Sequence, residues 1–384
     1  MSYASLKLIT YVSVLLLLAA CSGIPAGFPV RGSVGGQMIE TRVDSEAARY
    51  YLADYLAGKR RDAALDERID RVYQSAHNGL PDRNELKRLS DEFSIDFAAL
   101  HLADRIARVP LNRRFWDAFD QALAHTRKEF PDGRASLPAA AAHYEILFVP
   151  GYLYKRHPYT GADFAAPRLS LQSVGLARGF VETHEDGAIE ANADLVATAI
   201  REHARNGRRL IIVSASKSGP EVALALTRLG PAATGHVAAW VNIVGTLQGT
   251  ALADNGLGYQ LEDLIGQIDI AGVESLMVEH SRRRFATFRI PEHVLVVNYI
   301  GIPLTGSLSS LARTGFLELK DHGPNDGLSL LSDLIVPAGL TLAELGRDHF
   351  LLDEQIDVRT IALAVTVIRW LEDPELKSSE VTAR

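Results

Sequence analysis

Hydrophobic and polar positions along the chain fall into two regimes. From residue 44 to about 130, apolar residues recur every three or four positions. Tyr51, Leu52, Tyr55 and Leu56 share one face, followed by Leu65, Ile69, Val72, Tyr73 and Ala76, then Leu86, Leu89 and Phe93, then Phe97, Leu100 and Ile106. This spacing predicts amphipathic helices. Asp44 or Ser45 is placed to cap the first and Ser94 a later one. Asn78-Gly79 reads as a stop, and Pro110 breaks the run. Phe115, Trp116, Phe119 and Leu123 form a further face, read as helix-packing core. From residue 144 the period changes. Short apolar runs ("YEILFVPG", "GFVETH", "RLIIVSAS", "VAAWVNIVG", "HVLVVNYIG", "LTLAELG") alternate with helical stretches such as Ala188 to Asn206, Gly219 to Leu229 and Val358 to Leu371. The alternation predicts an α/β fold: a doubly wound, mostly parallel sheet covered on both faces, with an N-terminal helical region. The longest interruption, Thr250 to Glu292, contains helical pieces (Leu261 to Ile268, Val273 to Phe285) that suit a cap or lid at about 250–292.

The first residues follow another logic. "MSYASLK" carries one positive charge, and "LITYVSVLLLLAA" is too short to span a bilayer comfortably. It ends in Leu18-Ala19-Ala20-Cys21, which resembles a bacterial lipoprotein signal. The expectation is a signal peptide at 1–20, lipidation of Cys21 and attachment to the membrane through it. An ordinary secretory signal or an uncleaved anchor is the alternative. Ser22 stands where an aspartate would favour the inner membrane, so the periplasmic face of the outer membrane is expected. Residues 21–43, rich in Gly, Pro and Ser, read as a flexible tether. The helical region then covers 44–143 and the sheet domain 144–384. Cys21 is the one cysteine, so lipidation leaves no thiol for a bridge or a nucleophile.

Composition narrows the function. With 384 residues, 47% of them hydrophobic, the chain can bury a sizeable core. A net charge of −7 without a basic block excludes nucleic acid as the expected partner. No His, Cys or acidic cluster has metal-ligand spacing; His322 with Asp326 is too little. "VPGYLYKRH" after the first main strand is no phosphate loop, so no cofactor is expected.

Chemistry concentrates in "LIIVSASKSGPE" (210–221). A nucleophile on a sharp strand-to-helix turn needs small residues two before and two after it. Centring on Ser216 puts Ser214 and Ser218 there; centring on Ser214 meets bulky Ile212, and on Ser218 meets Pro220. The plainer reading is a serine-rich loop capping the next helix. The partners follow in the order Ser, acid, His: Asp326 lies in the turn "PNDGL" and His349 in "RDHFLL". His349 would take the proton of Ser216 and Asp326 would fix the imidazole. His322 is a competing histidine, and Asp321, Asp333 and Asp348 are competing acids, although Asp348 adjoins His349 and should point elsewhere. An oxyanion hole would use the backbone N–H groups of Lys217 and of Tyr152, in the tight turn Pro150-Gly151-Tyr152. The Lys217 side chain is expected in solvent.

These motifs together resemble the lipase/esterase (triacylglycerol lipase-like) branch of the α/β-hydrolase superfamily. Pro150-Gly151-Tyr152 resembles the His-Gly-x loop, Ser214 to Gly219 the "GHSKGG" elbow, and "VNIVGTLQGTALAD" the "GTPHxGSxxAD" segment. "NDGLS" resembles "NDGLV" around the triad acid, and "RDHFLLD" the histidine loop. The resemblance covers about 144–372. Departures are Ser214 and Ser218 for glycine, Ala215 and Pro150 for histidine, and Leu247-Gln248 for Pro-His. It implies a membrane-tethered serine hydrolase of carboxylic esters, lipid esters among them. The alternative is a non-catalytic lipoprotein that keeps the sheet and binds a partner through its helical region. Nothing in the sequence addresses oligomeric state.

Overall fold

The computed structural model describes residues 27–75, 79–130, 136–255 and 270–377. The signal 1–20, Cys21, the stop residue Asn78 with Ala76, and the helical piece 261–268 lie outside the described residues.

Residues 28–43, expected as tether, are instead an antiparallel hairpin. β1 (Phe28–Val34) pairs with β2 (Gln37–Val43) around Gly35-Gly36, both at positive φ. Composition misled because glycine was read as flexibility. Here two adjacent glycines supply the backbone a two-residue hairpin turn needs, and Val30, Val34 and Val43 are buried beneath it. Gln37 fastens the hairpin to the main sheet. Its Nε2 donates to Ala343 O at 2.6 Å and its Oε1 accepts from Leu345 N at 2.9 Å. That occupies backbone groups of an edge strand, the usual site of unwanted pairing.

The helical periodicity is realised in α1 (Glu46–Tyr50), which runs into a π-turn at Tyr51–Tyr55, then α2 (Ala63–Ser75), α3 (Arg83–Glu92), α4 (Ile95–Arg108) and α5 (Pro110–Glu129). Ser45 caps α1 through its hydroxyl, and Ser94 caps α4. Pro110 opens α5 rather than merely ending α4, as its fixed φ allows at a first helical position. The hairpin and α1–α4 share a core in which Leu52, Leu89, Phe97 and Leu100 meet Ile300, Ile302 and Ala343. This body therefore covers one face of the last two strands of the sheet. α5 lies on the other face, where Phe115 packs edge-on against Trp370 at 5.2 Å and Phe119 against Tyr299. A boundary at 143/144 thus separates α5 from the sheet that it covers.

The main sheet is all parallel, in the order β4-β3-β5-β6-β7-β8. Its strands are β3 (Tyr144–Val149), β4 (Ala177–Phe180), β5 (Arg209–Ala215), β6 (Val237–Ile243), β7 (Leu295–Ile302) and β8 (Leu340–Leu345). β3 is buried throughout, as expected of a strand covered on both faces. α5, α6 (Ala165–Ser173) and α13 (Ile356–Glu372) cover one face. α7 (Ile189–His203) and α8 (Ser218–Ala233) cover the other at β3, β5 and β6. The doubly wound expectation holds. Among the described residues, three short helices, α9 (Ala251–Asp254), α10 (Ile270–Glu274) and α11 (Val278–Phe285), follow β6, and α12 (Arg313–Leu319) follows β7. The helix expected at Val273–Phe285 is broken between α10 and α11. α11 leans on α7, with Arg284 Nε on Glu190 Oε1 at 2.7 Å.

The joint between the hairpin, α4 and the loop after β7 is acidic. Asp96 is fully buried and accepts from the N–H of Asp44 (2.7 Å) and of Thr305 (2.9 Å). Burial, then the neighbouring Asp44 charge, push its carboxyl up to about 8. The folded state then holds a proton that the unfolded chain loses near pH 4, so the native advantage is full at low pH and is lost as pH rises toward 8. Urea stability should fall between pH 5 and 8. Asp44→Asn, which removes the adjacent charge and keeps an acceptor for the Asp96 N–H, should make that slope shallower; equal slopes in both proteins would contradict this account.

Candidate active site

The turn after β5 is built around one strained residue. Ser216 has φ +55°, a left-handed conformation that costs a non-glycine residue about 1–2 kcal/mol. Its N–H donates to Ile243 O at 3.0 Å, and its carbonyl accepts from Gly219 N (3.0 Å) and Thr246 N (3.1 Å). The two flanking serines are buried and bonded. Ser214 Oγ accepts from Trp240 Nε1 at 2.8 Å, linking β5 to β6. Ser218 Oγ accepts from Ala215 N and donates to Val149 O, both at 2.8 Å, linking the turn to the end of β3. Serine for glycine at these places thus keeps the flanks small and adds two ties. Glycine remains where contact is closest: a Cβ on Gly219 would stand 2.7 Å from Gly245 Cα.

Ser216, His349 and Asp326 come together. His349 Nε2 is 3.0 Å from Ser216 Oγ, and His349 Nδ1 is 2.6 Å from Asp326 Oδ2. The other oxygen, Asp326 Oδ1, accepts from Leu328 N (2.9 Å) and Ser329 N (2.7 Å), and His349 N donates to Asp326 O at 2.8 Å. Asp326 is fully buried and His349 nearly so, which leaves the carboxylate few alternatives to the imidazole. The competitors are elsewhere. His322 and Asp321 are exposed, Asp333 pairs with Arg83 at 2.9 Å, and Asp348 accepts from the N–H groups of Ser309 and Phe350.

Gly151 lies against the turn: a Cβ there would be 3.2 Å from Ala215 O and 3.7 Å from Ser216 Cβ. Tyr152 follows it and lines the same cavity as Ser216. Glu185 accepts from the N–H groups of Lys155 (2.9 Å) and Arg156 (3.0 Å) and fixes the rest of this loop. Lys217 departs from expectation. Its side chain is buried, not in solvent, and pairs with Glu221 one helical turn later, while Asn192 Nδ2 donates to Glu221 Oε1 at 2.8 Å. Burial raises the Glu221 pKa, and the Lys217 ammonium pulls it back. The spacing of four could have revealed the pair; its burial could not be seen in the sequence.

A cavity of about 780 Å³ opens at Ser216 and His349. Residues 152–167 and 349–367 supply much of its wall; none of the described residues in 250–292 lines it. The expected cap at 250–292 is therefore not the wall of this cavity among the described residues. The loop after β3, missed in the sequence because its apolar residues follow no period, takes that place. Ser218→Ala should leave Ala215 N and Val149 O without their hydroxyl partner at a buried site and cost about 1–3 kcal/mol. Urea denaturation would measure it; a loss below half that would mean the hydroxyl is not a structural tie.

No family model matches the chain, and no curated protein matches it. Solved structures do. A metagenomic carboxyl esterase is 20% identical with a TM-score of 0.54, over 67% of this chain and 91% of its own. The mature form of a Bacillus licheniformis lipase is 24% identical with a TM-score of 0.45, over 54% of this chain and 84% of its own. A phospholipase of Legionella pneumophila is 15% identical with a TM-score of 0.37, over 50% of this chain and 45% of its own. The sheet order, the strained turn and the likeness to the metagenomic esterase give the chain an α/β-hydrolase fold.

Proposed function

We propose that the chain is a serine hydrolase of carboxylic esters that works through an acyl-enzyme. The observation that carries this reading is the hydrogen-bonded series Asp326–His349–Ser216 at the mouth of an apolar cavity. Ser216 Oγ attacks the ester carbonyl carbon as His349 Nε2 takes its proton. The negative charge on the carbonyl oxygen is met by the N–H groups of Lys217 and Tyr152. The C–O bond to the alcohol breaks, and the alcohol leaves with the proton from His349. Water, deprotonated by His349, then attacks the acyl carbon and frees the acid and Ser216. Asp326 holds the imidazole in the required tautomer and stabilises its charged form.

A lipid anchor at Cys21 goes with this reading and would hold the enzyme on the periplasmic face of the outer membrane. Residues 22–27 would then be the whole connection to β1, a reach of about 20 Å at full extension. A partner-binding role for the helical region gains little support, since its apolar faces are used on the sheet.

Three results test this. A fluorophosphonate probe should label the wild-type protein and not Ser216→Ala; labelling that survives that change would mean another serine is the nucleophile. Asp326→Asn should lower kcat about 10⁴-fold on any ester turned over while the protein still folds. Cells fed a palmitate label should incorporate it into the wild-type chain and not into Cys21→Ser; equal incorporation would remove the anchor from the account.

A further inference from the structure

We propose that the deep part of the space behind Ser216 is a channel for one unbranched acyl chain of about ten carbons, running between the sheet and α13. It rests on the ester-hydrolase reading and goes on to name the acyl group.

The register fixes the depth. Ala215, Val213 and Ile211 point to one face of β5, as alternate residues of a strand must. They stand level with Ile243, Val241 and Ala239 of β6, and Phe148 and Ile146 of β3 face Val213 and Ile211. All of these except Ala239 line the cavity. It therefore descends from Ser216 past two further levels of the sheet, about 13 Å at 3.3 Å per residue. The opposite wall is one stripe of α13, Ile356, Thr360, Leu363, Ala364 and Val367, which runs down the sheet for about 16 Å at 1.5 Å per residue. An extended chain advances about 1.2 Å per bond, as an extended backbone does, so the sheet side accommodates roughly ten to eleven carbons.

The chemistry of the walls fixes the class. Below the first level every lining residue of the three strands is apolar, and the α13 stripe is apolar except for Thr360. Two of the polar side chains that line the cavity are already bonded: Tyr299 Oη donates to Glu344 Oε1 at 2.9 Å, and Arg359 is held by Glu344 and Asp353. Water gains few partners in such a space, whereas methylenes do not need them. Val213, Val241, Thr360 and Ala364 line it where the sheet and α13 face each other, and Ile146, Ile211 and Val367 line its deepest level.

The test uses the full chain with p-nitrophenyl esters from butyryl to hexadecanoyl. kcat/KM should peak near decanoyl and fall at least tenfold by hexadecanoyl. Ala364→Leu, a change that keeps helix propensity, should lower the decanoyl-to-butyryl ratio at least tenfold. Val367→Phe should move the peak two to four carbons shorter and serves if the first variant folds poorly. A peak at butyryl in the wild type, or ratios that neither variant moves, overturns the channel. Decanoic acid should also raise the melting temperature of Ser216→Ala, and less so with Ala364→Leu added. That binding without probe labelling of the wild type would sink the hydrolase reading and leave the channel; labelling without that binding would sink the channel alone.

Discussion

The site depends on keeping Ser216 in a backbone conformation that its own side chain disfavours. The left-handed turn costs about 1–2 kcal/mol, comparable to one or two net hydrogen bonds. It is held from the two strands that flank β5. β6 supplies Ile243 O for the Ser216 N–H and Trp240 for Ser214, while β3 supplies Val149 O for Ser218. Each tie requires β3 and β6 to flank β5, which is the order the parallel sheet adopts. The geometry of Ser216 is therefore a property of the centre of the sheet. The helix after the turn adds the N-terminal end of its dipole beside Ser216, where the proposed mechanism develops negative charge.

The acid and the histidine are placed by a second constraint, farther along the same sheet edge. Asn242 and Asn298 stand opposite each other on β6 and β7 and are both fully buried. Asn242 Nδ2 donates to Asn298 Oδ1 at 3.3 Å and to Leu334 O at 3.0 Å. Asn298 accepts from Val336 N at 2.9 Å and donates back to Val336 O at 3.1 Å. These bonds pin residues 334–336, the segment that joins the Asp326 turn to β8. β8 in turn delivers His349. A buried polar ladder of this kind specifies one arrangement because a slip of either strand would leave several amide groups unpaired. The Asp326–His349 contact inherits that register.

How much could be read in advance follows from which signals are local. The strands were legible because both-face burial makes them continuous apolar runs. Ser216, Asp326 and His349 were legible because turn chemistry and chain order constrain them together. The hairpin at 28–43 was not, since the feature that gives it stability, Gln37 bridging to Ala343 and Leu345, joins residues about 300 positions apart. The burial of Lys217 was not, because a Lys-Glu pair four apart looks the same on an exposed helix as on a buried one. The cavity wall at 152–167 was not, because its residues are positioned by Glu185 and Ala162 through backbone bonds that leave no periodic trace.

The Lys217–Glu221 pair explains why the residue after Ser216 is not free to vary alone. Removing two charges from water costs several kcal/mol per ion before their attraction is counted, so such a pair is weak evidence of added stability. Its consequence is positional. Lys217 is the N-cap residue of α8, and Glu221 lies one turn on, bonded in turn to Asn192 of α7. Asn192 also spans His184, accepting from its N–H at 3.0 Å and donating to its carbonyl at 2.8 Å, just beyond Glu185 in sequence. One buried network therefore ties the start of α8, and with it the backbone N–H of Lys217, to the segment that fixes the Gly151-Tyr152 loop. The two N–H groups that the proposed mechanism uses sit on different elements, and this network is a second bonded path between them beside the Ser218–Val149 tie. Loss of either charge would leave the other buried without its counter-ion and would loosen both elements at once.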